Sequence, residues 1–130
     1  MIKRSWEVAM VACALMSWPV AAHAVNVSSS DGSGVQYVTS WTSIGANLNG
    51  NLKSTVGRPV YYQGAATVVG GNTGYERYTK DVTSTDKYVG VGGWAGGVSV
   101  SKYTGVAVKV CRNVKALPDS CGKSVGIPRK

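Results

Sequence analysis

Apolar and polar side chains alternate along several short stretches of this chain. In residues 35–42, Val35, Tyr37 and Trp41 fall on one side of an extended strand, while more polar side chains take most of the other side. No window carries a sustained apolar period of 3.6 residues, so no amphipathic helix is predicted. The strands predicted in this way include residues 35–42, 60–69, 75–82, 87–91, 98–103 and 105–110.

Turn-forming residues separate these strands. Asn49-Gly50 is a favoured pair for a type I′ turn, in which both central residues need positive φ, and it predicts a hairpin. Glycine-rich residues 70–74 break a β-rich run, so residues 60–69 and 75–82 are expected to pair antiparallel. About seven short strands with closely spaced turns predict an all-β fold, either a small antiparallel β-sandwich or a partly open barrel. Composition agrees, because valine, threonine, tyrosine and glycine dominate and phenylalanine is absent.

The N-terminal residues have the form of a secretory signal peptide. Lys3 and Arg4 precede an apolar run over residues 8–20, and residues 22–24 form a small-x-small cleavage site. The apolar run is shorter than the roughly 20 residues that span a bilayer, so no transmembrane segment is predicted. We therefore expect cleavage near Ala24 and a secreted or periplasmic mature protein, a pattern common among small exported bacterial proteins.

The chain that remains after cleavage suits one domain of modest core size. Serine- and glycine-rich residues 25–34 predict a flexible leader. Residues 35–121 form the predicted all-β domain, and residues 122–130 are expected to form a basic flexible tail.

Cys111 and Cys121 are the two cysteines of the mature chain, which has no histidine. Two thiolates without further nitrogen or sulfur ligands do not complete a tetrahedral zinc site. The Cys-x-x-Cys spacing of a redox centre is also absent. Because paired cysteines in a small exported chain are typical of a structural disulfide, we predict a Cys111–Cys121 bridge and neither a metal nor a cofactor.

The residue types offer little support for catalysis. Without histidine, acid–base chemistry would depend on carboxylates, of which Glu76 and Asp86 flank a predicted hairpin at residues 83–85. Neighbouring lysine and arginine side chains explain that pair as surface ion pairing. Residues 90–95 and 122–124 match parts of nucleotide-binding motifs, but the first lacks the helix that must follow and the second lacks the earlier glycine. The sequence therefore predicts a noncatalytic protein.

Two aromatic residues are candidates for ligand stacking. Trp94 lies between Gly92-Gly93 and Gly96-Gly97. These glycine pairs predict either a bent loop that presents the indole ring or a bulged strand with the ring in the core. Adjacent tyrosines at 61 and 62 must point to opposite sides of a strand, one inward and one to solvent. Trp94 and Tyr62 are included in the predicted binding site on this basis.

Positive charge is concentrated towards the C-terminus. The mature chain has 12 basic and 5 acidic residues, and residues 102–130 carry +6 while residues 25–101 carry +1. Such a basic end attracts polyanions with an affinity that falls as salt rises, although a solubilising patch has the same composition. The candidate binding cations are Lys109, Arg112, Lys115 and Lys123.

These features predict a secreted, noncatalytic domain that binds an anionic polysaccharide or another anionic envelope or extracellular polymer. A nucleic-acid partner is disfavoured because the chain is exported and has no recognisable binding motif. An alternative is a secreted antagonist, a small toxin, antimicrobial or enzyme inhibitor, that presents the disulfide-closed loop to a target protein. A third is a subunit of a surface assembly, joined by strand addition at a sheet edge. Ligand identity and oligomeric state are not specified by these patterns.

Overall fold

The computed structural model describes residues 24–97, 102–115 and 117–129. These residues form ten strands, and none of them forms a helix long and apolar enough to cross a membrane. The strands are β1 (Val25–Ser28), β2 (Gly32–Trp41), β3 (Gly45–Ser54), β4 (Val60–Val68), β5 (Gly71–Asn72), β6 (Glu76–Arg77), β7 (Val89–Gly96), β8 (Gly105–Arg112), β9 (Ser120–Cys121) and β10 (Val125–Pro128). The predicted signal peptide lies outside the described residues apart from Ala24, and so does most of the strand predicted at 98–103.

The ten strands form two antiparallel sheets. Sheet A is a meander in the order β1-β2-β3-β7. In sheet B, β8 has β4 on one side and the short strands β9 and β10 on the other. The far side of β4 pairs with β5 and β6. The predicted all-β fold of short antiparallel strands is confirmed.

Apolar side chains from the inner faces of both sheets form one core. Every second residue of β4 and β8 points inward, so Val60 and Tyr62 pack with the valines at 106, 108 and 110. Sheet A contributes Leu48 and Leu52 from β3, among others. The alternation that predicted the strands therefore also separates core positions from outward-facing ones.

Two tyrosine hydroxyls inside the core have hydrogen-bond partners. The ring of Tyr62 stacks on that of Tyr78 with 6.0 Å between centroids, and the Tyr62 hydroxyl donates to the carbonyl oxygen of Asn51 at 2.8 Å. The Tyr78 hydroxyl donates to Oε1 of the buried Gln36 at 2.8 Å. Burial raises the pKa of both tyrosines above the usual value. A Cβ at Gly34 would lie 2.5 Å from the Tyr62 hydroxyl, so glycine makes room for this group.

The hairpin predicted at Asn49-Gly50 is wrong, because β3 continues straight through both residues. Gly50 pairs with Gln36 on β2 and with Val91 on β7, so pairing on both sides outweighs the local turn preference. Gly50 has φ of +150°, and a Cβ there would lie 1.9 Å from the carbonyl oxygen of Val35. The glycine therefore allows a close approach of β2 instead of a reversal of the chain.

The predicted flexible leader (25–34) and flexible tail (122–130) are also wrong, because both contain strands. β1 pairs with β2, and β10 pairs with β8. Each of these short strands places one side chain in the core: Val27 and Ile127 are both 1% exposed. One buried apolar residue and a ladder of backbone hydrogen bonds are enough to anchor a four-residue strand, so the domain extends beyond the predicted bounds 35–121.

The segment between β4 and β7 has less strand than predicted. Residues 75–82 contain only the two-residue β6, which does pair antiparallel with β4, and an isolated bridge between Val82 and Val60. The hairpin predicted at 83–85 is wrong, because β6 belongs to sheet B whereas β7 belongs to sheet A. Glu76 and Asp86 consequently do not face each other across a hairpin.

The predicted disulfide is confirmed. Cys111 on β8 and Cys121 on β9 are direct partners in the strand register, and their sulfur atoms are 2.08 Å apart. The bridge closes the loop between β8 and β9 on the side of sheet B that faces away from the core. This chemistry is consistent with an oxidising, extracytoplasmic compartment.

Candidate binding site

The side of sheet B that faces away from the core is called here the outer face. It contains the odd-numbered residues of β4 and β8, since the even-numbered ones form the core. Its central residues are Tyr61, Gln63, Ala65 and Thr67 on β4 and Gly105, Ala107, Lys109 and Cys111 on β8. Neighbouring side chains cover most of these residues, since Tyr61, Ala65, Ala107 and Cys111 are buried, and Gln63, Thr67 and Lys109 are the half-buried ones.

Two cations lie in one row across the outer face. Gln63 on β4 is the register partner of Arg77 on β6 and of Lys109 on β8. Arg77 and Lys109 are therefore two strand spacings apart, roughly 10 Å. The spacing of about 10 Å refers to the backbone positions of the two residues, which share one side of the sheet with Gln63 between them.

Each cation of this row is placed over a tyrosine ring. Lys109 Nζ lies 4.0 Å from the centroid of Tyr75, which immediately precedes β6, so the lysine side chain crosses over β4. The Arg77 guanidinium carbon lies 4.5 Å from the centroid of Tyr61. Such cation–π contacts are worth about 0.5–1 kcal/mol at exposed sites, enough to orient the cations.

Arg77 is fixed further by polar contacts, whereas Lys109 is not. Arg77 Nε donates to the carbonyl oxygen of Thr79 at 2.8 Å, and its guanidinium forms an ion pair with Asp81 at 3.0 Å. The ion pairs among the described residues are Arg77–Asp81 and Arg112–Asp31, and Lys109 is in neither. Lys109 is half-buried, but in the part of the chain that the structure describes its charge is not paired with a carboxylate, whereas that of Arg77 is.

Asp119 holds the disulfide-closed loop against the outer face. The Tyr61 hydroxyl donates to Asp119 Oδ2, and the amide of Val114 donates to Asp119 Oδ1 at 3.0 Å. Gln63 Nε2 in turn donates to the Tyr61 hydroxyl at 3.1 Å. The hydrogen bonds from Tyr61 and Val114 lower the pKa of Asp119. Burial and the Asp119 carboxylate raise the pKa of Tyr61.

The contact between Tyr61 and Asp119 predicts a pH-dependent contribution to stability. A carboxylate whose pKa is lower in the folded state stabilises the fold above its unfolded pKa, and this contribution is lost as the pH falls through the folded value. Asp119→Asn is therefore expected to reduce the free energy of unfolding at pH 7 and to leave it unchanged at pH 2. The reduction should be at most about 1 kcal/mol, because the carboxylate is exposed to solvent. Urea denaturation at both pH values measures the difference. In a Tyr61→Phe background the pH 7 difference should shrink; an equal effect at both pH values would contradict this explanation.

The predicted binding cations occupy different environments. Lys109 lies on the outer face, whereas Lys115 and Lys123 are exposed in the segments that follow β8 and β9. Arg112 does not belong to this set, because it points inward and pairs with Asp31 at 3.4 Å. Asp31 precedes β2, so this ion pair connects the two sheets.

Neither of the predicted aromatic residues lies on the outer face. Tyr62 is fully buried, so its inclusion in a surface site is corrected: the even register of β4 directs it into the core. Trp94 is 39% exposed, but it lies on the opposite side of the molecule, on sheet A. Its Nε1 donates to Thr42 Oγ1 at 3.1 Å. The glycines beside it belong to the regular strand β7 instead of a bent loop or a bulge.

Four residues of the outer-face row and its rings are not among the predicted binding residues: Tyr61, Gln63, Tyr75 and Arg77. Alternation does place Tyr61 and Gln63 on the same side of β4, so part of the signal was present. Which side faces the core, and which residues of β6 and β8 stand beside Gln63, depend on strand register, which the local pattern does not contain. Among the described residues, no group of three or more histidine, cysteine, aspartate or glutamate side chains could hold a metal ion.

Comparisons with known proteins give no relative from which a function could be transferred: no family model, no curated protein and no solved structure matches this chain.

Proposed function

We propose that this protein is an exported, noncatalytic binding domain whose outer face engages an anionic envelope or extracellular polymer. The observation that carries the proposal is the row of Lys109 and Arg77 across the outer face, each cation oriented by a tyrosine ring. Two cations on one face of the sheet, each oriented by an aromatic ring, suit a repeating anionic chain that lies across the strands.

The distribution of charge supports this assignment. β8, β9 and β10 are adjacent in sheet B and come from the segment that carries most of the net positive charge. Asp119 is the acidic residue of this segment. Its carboxylate accepts hydrogen bonds from Tyr61 and Val114, and these partly compensate its negative charge. Glu76 lies on β6 and Asp86 in the segment before β7, and no hairpin joins them, which supports a noncatalytic role because a pair of catalytic carboxylates needs fixed proximity.

The charge of Lys109 provides the test of this function. Lys109→Glu is expected to weaken binding of the purified protein to polygalacturonate and to polyphosphate by about tenfold, equivalent to 1.4 kcal/mol. Wild-type binding should also be tighter at low salt than at about 0.15 M salt, because screening weakens the attraction. Binding is measured by calorimetry or by retention on immobilised polymer at both salt concentrations.

Lys53→Glu is the matched control for this experiment. Lys53 Nζ also lies over a tyrosine ring, 4.8 Å from the centroid of Tyr88, but on sheet A. The two variants therefore have the same net charge and each loses one lysine–tyrosine contact. If both variants weaken binding equally, or if wild-type binding does not depend on salt, the outer face is not the site.

A second function is favoured by the exposure of Leu117, which is 67% exposed in the disulfide-closed loop. The hydrogen bonds of Asp119 hold this loop in place, so Leu117 and Lys115 are presented with little loss of freedom on binding a target protein, as an inhibitor requires. Leu117→Ala included in the same experiment should leave polymer binding unchanged. Loss of growth inhibition or of target-enzyme inhibition in this variant would favour the antagonist function.

A further inference from the structure

An open cleft of about 410 Å³ lies at the end of sheet B where β8 begins. It is lined by Thr67, Thr104, Gly105, Gly126, Ile127 and Pro128. Thr67, Gly105 and Pro128 are register partners across β4, β8 and β10, so they continue the outer face. The volume falls within the range of about 300–1,000 Å³ that is typical of ligand sites.

Two glycines shape this cleft in different ways. Gly126 is exposed on β10, and no atom lies within 4 Å of the position that its Cβ would take. Gly105 lies opposite Pro128, and a Cβ there would lie 2.3 Å from the carbonyl oxygen of Ile127. The cleft is therefore open because Gly126 has no side chain, whereas Gly105 allows the backbone of β10 to approach β8 closely.

The lining combines an apolar floor with a polar rim. Glycine and proline backbone with the edge of Ile127 form the floor, and the hydroxyls of Thr67 and Thr104 stand at its edge. Arg129 directly follows β10; its guanidinium carbon lies 4.3 Å from the centroid of Tyr103, and its amide donates to the carbonyl of Thr104 at 2.8 Å. Arg129 is therefore directed to Tyr103 and is not among the residues that line the cleft. A flat apolar surface beside hydroxyls matches a sugar ring, which has an apolar C–H face and hydroxyl edges.

We propose that this cleft seats one sugar ring of an acidic polysaccharide whose neighbouring units cross the outer face. The proposal rests on the proposed function and specifies its ligand class. Gly105 and Lys109 are four residues apart on β8, about 13 Å along the strand, so one polysaccharide chain can reach both the cleft and the cation row. Lys109 then lies beside a neighbouring unit of the chain, with a charge that complements its carboxylate.

Gly126→Val tests the cleft, because the new side chain fills it without a clash. The residue is in a strand without a left-handed φ, so a β-branched side chain suits the backbone. Binding to polygalacturonate, a polymer of uronic acid rings, should weaken at least tenfold. Binding to polyphosphate, which has no ring, should stay within twofold of wild type.

Gly90→Val is the matched control. Gly90 is an exposed strand glycine of sheet A, and the one atom within 4 Å of its Cβ position is the carbonyl oxygen of Gly50, at 3.9 Å. It should change binding to neither polymer.

Gly126→Ser is the substitute if the valine variant melts at a lower temperature than wild type. Unchanged binding to polygalacturonate, or equal weakening with both polymers, would overturn the cleft proposal while the proposed function stands. If wild type binds neither polymer in a salt-dependent way, the proposed function fails and the cleft proposal fails with it.

Discussion

Tyr62→Ala is expected to lower the free energy of unfolding by about 3–5 kcal/mol, the range for truncation of a buried aromatic ring to alanine. Tyr62 is fully buried and stacks on Tyr78, so its removal leaves a cavity between the sheets. The carbonyl of Asn51 also loses its hydroxyl donor. Urea denaturation followed by circular dichroism measures the effect.

Two further variants separate the causes of this loss. Tyr62→Phe keeps the ring and removes only the hydroxyl, so it should cost about 1 kcal/mol. Tyr75→Ala removes a tyrosine from the rim of the outer face and should cost no more than about 1 kcal/mol, mainly through its contact with Lys109. If Tyr62→Ala were no more destabilising than Tyr75→Ala, the assignment of Tyr62 to the core would be refuted.

Replacement of both Cys111 and Cys121 by alanine is expected to lower the free energy of unfolding by about 2.8 kcal/mol. This value follows from the entropy that an 11-residue closed loop removes from the unfolded chain. The effect should be concentrated at one end of sheet B, because β9 has only two residues and depends on the bridge to stay beside β8. β10 retains its own anchor in Ile127.

Denaturation with and without reductant tests the disulfide directly. Reductant should shift the urea midpoint of the wild type towards that of the double alanine variant, and it should not shift the midpoint of the variant itself. A wild type with the same midpoint as the variant under oxidising conditions would mean that the bridge does not stabilise the fold.

Strand content could be predicted where a strand has its own apolar alternation and a clear break at each end. This is true of residues 60–69 and 105–110, which correspond to β4 and β8. It is not true of β1 and β10, each of which has one fully buried side chain and a polar or glycine-rich neighbourhood. Such strands form because a partner strand is already in place. The local sequence does not show which partner strand will be available.

The turn prediction at Asn49-Gly50 failed for a related reason. A type I′ turn is a preference of two residues, whereas a central strand gains hydrogen bonds on both sides over its whole length. Gly50 suits both outcomes, and the neighbours on β2 and β7 decide between them.

The candidate site could be predicted only in part. The uneven distribution of charge pointed to Lys109. Because β8, β9 and β10 are consecutive in the chain and adjacent in sheet B, basic residues that are close in the sequence are also close in space. Arg77 comes from a different segment and joins Lys109 only through the register with Gln63. The expectation that one of Tyr61 and Tyr62 meets solvent is wrong, because Tyr62 lies in the core and Tyr61, on the other side of β4, is only 3% exposed. The aromatic residues that accompany the cations are Tyr61 and Tyr75.

The most direct measurement of the central claim is a titration of the isotope-labelled protein with a short oligogalacturonate, followed by backbone amide chemical shifts. If the outer face binds the anionic chain, the largest changes will occur at Gln63, Thr67, Lys109 and Gly126, and added salt will reduce them. Changes centred on Trp94 and sheet A, or no changes even at low salt, would contradict the account.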